Sequence, residues 1–373
     1  MTGNPNPRID RRGFLKGVGS AAGLVFVGCG GAEAAWQTAN RSTRRPLVVK
    51  GRRIRTIDVH AHCVVTKAAE LLRSGSLPQA TAAQNLPLVL EGQAFDRRIA
   101  DMDAQGIDVA VLSINPNWYN ADRDLATHVI AAQNEAMAGF CAVHADRFAA
   151  FASVALQFPD LAVRQLEDSM KKLGFRGAAI GGSVAGRELS DTAFHPFWAK
   201  AEELGAVVFI HPQASSSAEL NARLKGNGML GNVIGNPLET TIALSHLIFE
   251  GTLDRFPGLK LCAAHGGGYL PSYADRSDHG CLVFPQNCNP APLKKHPTEY
   301  LRQLYFDALV FTPEALRHLV AQCGVSQIVM GTDSPIGWTN VAVDHILGTP
   351  SLSNSEKVAI LGGNAAKLLR ISS

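Results

Sequence analysis

Two histidines one residue apart, His60 and His62, close the β-rich run that begins at Ile54. In an extended strand alternate residues face one side, so both imidazoles project together. Such a pair at a strand's end can close on one divalent metal, whose bonds to nitrogen are about 2.0–2.1 Å. Taken alone the pair is a weak signal, equally that of two hydrogen-bonded core histidines. Its weight comes from three similar endings. Val207-Val208-Phe209-Ile210 runs into His211, Leu261-Cys262-Ala263-Ala264 into His265, and Met330-Gly331-Thr332 into Asp333. An ionisable group placed after an apolar strand is costly to bury without a partner. Four such endings point to one shared site. Within it His265 is the natural acid/base, since histidine is the side chain suited to moving protons near neutral pH. The glycines at 266, 267 and 268 let backbone approach that site closely.

These endings need elements to carry them. From residue 54 onward short β-rich runs alternate with helical patterns. Strands are predicted at Ile54–Val59, Asp108–Ile114, Phe148–Val154, Arg176–Ile180, Ala206–Ile210, Lys260–Ala264, Leu304–Leu309 and Gln327–Met330. Gly106, Gly174, Gly205 and Gly324 mark the ends of the helices before four of them. Eight strands without a linker-like break predict an α/β fold, a single (β/α)8 TIM barrel, whose strand ends converge on one mouth. The stretch from Val65 to Gln93 reads as an insertion after strand one that covers this mouth. A doubly wound open sheet is the alternative. No Gly-x-Gly-x-x-Gly follows the first strand, so a dinucleotide site has no basis.

The chain has 373 residues, 46% of them hydrophobic and 18% charged, with a formal net charge of +3. The excess of bases is all in residues 1–55, which hold 11 Lys and Arg against Asp10 and Glu33. The remainder carries 24 bases and 30 acids, which argues against a nucleic-acid-binding surface. Asp10-Arg11-Arg12-Gly13-Phe14-Leu15-Lys16 precedes an uncharged stretch, Gly17 to Gly28, too short to span a bilayer. This order resembles a twin-arginine export signal. The resemblance implies a signal over 1–34, the twin-arginine export machinery as a partner, and a periplasmic or extracellular protein. Cleavage near Ala34 competes with lipid anchoring through Cys29. Residues 35–53 then read as a basic linker and 54–373 as the barrel. None of the seven cysteines forms a Cys-x-x-Cys motif; Cys281 and Cys288 could pair after export, but buried free thiols are the default expectation.

Further motifs accompany the strand endings: Arg98-Ile99-Ala100-Asp101-Met102-Asp103, Leu173-Gly174-Phe175-Arg176-Gly177, Pro237-Leu238-Glu239-Thr240-Thr241, Arg276 eleven residues after His265, and Phe306-Asp307-Ala308-Leu309. Together they resemble the amidohydrolase superfamily, in the amidohydrolase-related branch that includes 2-amino-3-carboxymuconate 6-semialdehyde decarboxylase. The resemblance implies that His60, His62, His211 and Asp333 bind one Zn²⁺. It implies that Arg98 and Arg276 hold a substrate carboxylate, the second arginine coming from the neighbouring subunit of a homodimer. Strand four ends in Gly181-Gly182 with no Lys to bridge two metals, so one ion is expected. Where the decarboxylase has Trp after His-Pro, this chain has Gln213, so a stacking wall is exchanged for an amide. The implied reaction is non-oxidative, zinc-dependent decarboxylation of a carboxylated aromatic or muconate-like small acid, with His265 moving the proton and Asp333 sharing the catalytic work. Hydrolysis of a lactone, ester or amide is the alternative, and a zinc-stabilised binding protein the non-enzymatic one.

Overall fold

The computed structural model describes residues 44–74, 88–213, 218–288, 293–336, 338 and 342–372. The export signal, Cys29, the linker up to Thr43 and residues 75–87 of the expected insertion lie outside the described residues.

Eight parallel strands overlap the eight predicted ones, the first displaced by three residues so that it includes both histidines: β1 (Ile57–His62), β2 (Val109–Ser113), β3 (Phe148–Ala150), β4 (Gly177–Ile180), β5 (Val207–Ile210), β6 (Lys260–Ala263), β7 (Tyr305–Asp307) and β8 (Ile328–Val329). They run in sequence order, β1 to β3 in one sheet and β4 to β8 in the other. Single bridges join the sheets on both sides, Ala152 to Ala178 and Ala61 to Ser334. Backbone hydrogen bonds reinforce both seams, from Ala179 to Ala152 at 3.0 Å and from Val59 to Met330 at 3.0 Å.

Alternation along the strands divides the apolar residues between two faces. Val109, Val111, Ala179, Val207 and Phe209 pack with Phe151, Leu368 and Leu369 in one cluster. Ala110, Leu112, Ala178, Val208 and Ile210 pack in another that includes the helix residues Leu166, Trp198, Leu244 and Leu316. The glycines expected to end helices all adopt left-handed backbone, with φ of 77° at Gly106, 75° at Gly174, 59° at Gly205 and 86° at Gly324. The first three let the chain turn from a helix into the next strand within three residues, and after Gly324 a single 3-10 turn, Val325–Gln327, comes before the strand.

Strand β1 departs from simple alternation. Ile57 and Val59 belong to the cluster of Phe209, yet the His60 ring also lies 5.0 Å from the Phe209 ring. A regular strand cannot send Val59 and His60 to the same side. The pairing of β1 with β2 shifts register between Asp58 and Ala61, and that irregularity re-aims the His-x-His pair inward.

Two expectations are revised. The basic segment is no free tether from Arg44 onward: the compact unit begins there, and Val48–Val49 pairs with Arg52–Arg53 in a hairpin. Acids on the body explain the docking, since Arg44 and Arg53 reach Asp108 and Arg45 reaches Asp344. Cys281 and Cys288 are joined in a disulfide, not free, because the end of their helix brings them together. Cys63, Cys262 and Cys323 are buried free thiols and Cys141 is half-buried. Among the described residues no helix is long and apolar enough to cross a membrane.

Candidate metal centre

The C-terminal ends of β1, β5, β6 and β8 bring His60, His62, His211, His265 and Asp333 together. His60 Nε2 stands 3.1 Å from His62 Nε2, and Asp333 Oδ1 lies 3.2 Å from the first and 2.8 Å from the second. Donors sharing one ion through bonds of about 2.1 Å at tetrahedral angles are about 3.4 Å apart, so these three already hold such an arrangement. The His211 ring is 4.6 Å from that of His62 and 5.0 Å from that of His60. His265 Nε2 is 3.6 Å from Asp333 Oδ2. Ligand atoms of His60, His211, His265 and Asp333 all lie within 4.8 Å of one another. His265, expected as an acid/base outside the ligand set, is thus as well placed to ligate as His62.

Satisfaction of these groups is uneven. His60 Nδ1 pairs with Asp307 Oδ2 at 2.7 Å, which leaves Nε2 to face the site. Both ring nitrogens of His211 and the Nδ1 of His265 are buried without a hydrogen-bond partner. Buried polar atoms are nearly always paired, so an imidazole with both nitrogens orphaned needs another explanation. A divalent cation fits: it takes a lone pair where no donor is at hand, and three imidazoles with a carboxylate are a donor set it accepts.

The electrostatics agree. Burial lowers the His211 pKa well below the ordinary value, and the imidazoles of His62, His60 and His265 push the same way. Burial also lowers that of His62, against the pull of Asp333. Burial disfavours the charged form of His60 too, but Asp333 and Asp307 outweigh it and raise the pKa to about 10. Burial pushes Asp333 up, yet the surrounding histidines hold it well below the usual carboxylate range. The site therefore presents an ionised Asp333 beside neutral His62 and His211, which are ligating forms, while His60 would give up its Nε2 proton to an incoming ion.

The other expected site residues lie as follows. Arg98, on the helix Gly92–Gln105, is 2% exposed and donates from Nη2 to the His62 carbonyl at 2.6 Å. Gln213, two residues beyond His211, is half-buried, and a Cβ on Gly181 would stand 2.9 Å from its Oε1. Beside them the Tyr119 hydroxyl accepts the Gly181 N–H at 3.1 Å. The adjacent Trp118 is wholly buried with its indole N–H on the Val154 carbonyl and packs the core. Arg276 is exposed on the helix Leu270–Val283. Its neighbouring acids are engaged elsewhere, Asp278 by Thr298 and Asp275 by Gln322.

Sequence reasoning missed three contributors. Asp58 accepts from the backbone of His60 and from Thr332, tying β1 to β8 beneath the site. Asp307 ends β7, an acid after an apolar strand like the others, and that signal was available. Trp338 donates its indole N–H to Asp333 Oδ2 at 3.2 Å and packs edge-on against Phe311, a bulky residue held at φ 65°. No strand ending announces these two aromatics.

The family model described as Amidohydrolase matches residues 57–371. This chain belongs to the amidohydrolase family. Its curated relatives include 2-amino-3-carboxymuconate-6-semialdehyde decarboxylase of Dictyostelium discoideum, 31% identical over 280 residues, which are 74% of this chain and 76% of that one. Gamma-resorcylate decarboxylase of Rhodococcus jostii is 27% identical over 290 residues, 74% of this chain and 87% of the relative. Among solved structures, 5-carboxyvanillate decarboxylase of Novosphingobium aromaticivorans with bound manganese and 3-methoxy-4-hydroxy-5-nitrobenzoic acid superposes with a TM-score of 0.76 at 26% identity, over 85% of this chain and 97% of that one.

Proposed function

We propose that this chain is a divalent-metal-dependent, non-oxidative decarboxylase of a small aromatic or muconate-like carboxylate, carried by a closed (β/α)8 barrel with an insertion after β1. The observation that carries the reading is the convergence of His60, His62, His265 and Asp333 on His211, whose nitrogens have no other partner. Decarboxylases recur among the relatives and the structural neighbours. Seam hydrogen bonds at β3–β4 and β8–β1 support closure.

His60, His62 or His265, His211 and Asp333 would hold the ion. When bound it would supply Lewis-acid charge for the substrate's oxygens. Arg98 is buried against the backbone of His62, where its guanidinium can present a fork to a carboxylate. The reaction breaks the bond between the carboxylate carbon and the ring carbon. The electron pair stays on the ring carbon, a proton replaces the carboxylate there, and CO₂ leaves. With His62 as the third imidazole ligand, His265, beside Asp333, is placed to hand over that proton. Trp338 and Phe311 give an aromatic flank that offsets the Gln213 exchange. The nitrogen-rich donor set supports zinc as the ion; manganese, bound in a structural neighbour, is the competitor.

Two further parts of the reading concern the whole molecule. A homodimer is supported by the helix of Arg276, whose Tyr273, Leu282 and Val283 are all exposed. Export, with or without a lipid at Cys29, is supported by the Cys281–Cys288 disulfide, a bond that persists in oxidising compartments.

The test is product mass after protein loaded with zinc or manganese meets a panel of carboxylated aromatics, muconates and lactones. Loss of CO₂ from any member is the expected result. Gain of water without loss of CO₂ would make the chain a hydrolase. Arg98→Ala separates the clamp from the chemistry, since unchanged rates on every substrate would remove Arg98 from the site.

A further inference from the structure

Asp307 is fully buried, and each of its contacts is a donor. Oδ2 takes His60 Nδ1 at 2.7 Å and the backbone N–H of His265 at 2.9 Å. Oδ1 takes the N–H of Gly266 at 2.9 Å and of Leu309 at 3.2 Å. One carboxylate thus touches a residue of β1 and the turn after β6 at once. That turn is strained. His265 and Gly266 have φ of 54° and 62°, and left-handed backbone is costly for a residue with a side chain. The two successive N–H groups it presents form an anion-binding concavity, and the anion in it is Asp307. The space around the carboxylate is reserved as well. A Cβ on Gly331 would meet Asp307 Cβ at 2.7 Å and His60 Cβ at 2.9 Å.

We propose that Asp307 is the positioning residue that makes the metal-binding face of His60 and the placement of His265 one structural event. By accepting from Nδ1 it keeps a proton on that nitrogen, so that Nε2, facing His62 and Asp333, is the nitrogen that yields its proton to an ion. By accepting from His265 and Gly266 it holds the turn that carries the second imidazole. Only a carboxylate serves both, because every partner donates and an amide must put its NH₂ against one pair of them. In Asp307→Asn the amide on the Oδ2 side meets one backbone N–H and a ring that can switch its proton to Nε2. On the Oδ1 side it meets two backbone N–H groups that cannot adapt. The first orientation is expected, with His60 protonated on Nε2 and unable to ligate through it.

This inference rests on the metal-site reading, and its test needs no substrate. Chelator-treated protein is titrated calorimetrically with zinc and manganese, and the His60 nitrogen that keeps its proton is read from long-range ¹⁵N–¹H correlations at saturating zinc. Asp307→Asn should lose about 10- to 100-fold in metal affinity and move the His60 proton to Nε2. Wild-type affinity with the proton still on Nδ1 overturns the role of Asp307. Should that variant not fold, Gly331→Ala presses a methyl on the same two side chains without changing charge. It should lose affinity in the same direction, and wild-type affinity there is equally contrary. If the wild-type protein takes up neither ion, it is the reading of the site that fails, not the role of Asp307 within it.

Discussion

The two ends of the strand layer treat charge in opposite ways. At the N-terminal ends Asp108, just before β2, receives the Arg53 fork at 2.6 and 3.1 Å, Arg44 at 3.0 Å and the Thr56 N–H at 2.9 Å. Arg147 lies beside it with Asp103 at 2.8 Å and the Asp108 and Ile107 carbonyls at 3.0 and 3.1 Å. Donors and acceptors there balance. At the C-terminal ends imidazoles face one another, and His211 has no donor or acceptor to meet. A fully paired network stabilises the fold and has nothing left to bind with. An unpaired one costs stability and is ready for a ligand, which matches the division of labour between the two ends of such strand layers.

The sharpest way to break this comparison is to remove a group from each end. His211→Ala should lower metal affinity and turnover by more than about 100-fold, beyond what loss of a supporting residue causes. It should leave the melting temperature of chelated protein unchanged or higher, since an unpartnered buried imidazole is gone. Metal content by mass spectrometry and a chelated melt check both. A chelated variant that melts far below the wild type would make His211 a structural residue.

Asp108→Asn is the counterpart, expected to cost about 1.5–3 kcal/mol of stability with metal affinity untouched. Burial pushes the Asp108 carboxyl up, but the Arg53 fork, the Thr56 N–H and Arg44 outweigh it and hold it below the usual value. A depressed carboxyl contributes its stability above its unfolded value of about 3.9 and loses it as the pH falls through the folded one. The gap between wild type and variant should therefore be full at neutral pH and shrink only in acid. Denaturant unfolding from pH 7 to pH 3 reads it directly. A gap that widened in acid would reverse the assignment.

How far the sequence reaches differs between the same two regions. Strand positions and the convergence of His60, His62, His211, His265 and Asp333 follow from local signals: apolar runs, glycine stops, and ionisable residues at strand ends. What escapes is non-local. The shift in β1 that turns His60 inward depends on its pairing with β2. The basic segment reads as a tether because Asp108 and Asp344, its partners, are 55 and 299 residues away. Trp338 reaches Asp333 across only five residues, but an irregular loop carries no period to predict it.

Trp338 also sharpens the mouth side of the comparison by separating binding of metal from binding of substrate. Trp338→Ala removes an aromatic face beside Asp333 and one hydrogen bond to Asp333 Oδ2, but no ligand itself. An aromatic contact of about 0.5–1.5 kcal/mol corresponds to a rise in KM of about 2- to 12-fold. Metal affinity should hold. If metal affinity falls while KM does not, the indole supports Asp333 and has no place in the pocket.

The smallest effect expected is the control that gives the others meaning. Arg45 and Asp344 approach to 2.6 Å, as short as the Arg53 contact with Asp108, and join the same hairpin region to the body. Their side chains are 41% and 58% exposed, whereas that of Asp108 is 5% exposed. Exposed pairs gain little Coulomb energy in water, lose side-chain entropy and are screened by salt, for a net of about 0.2–1 kcal/mol. Arg45→Ala should therefore stay below about 1 kcal/mol at low salt and fade at high salt, while Asp108→Asn keeps its effect in both. Equal losses for the two variants would mean that ion-pair distance governs this end of the molecule. Unequal ones would mean that burial does, and burial is also what makes the orphaned nitrogens of His211 worth explaining at the other end.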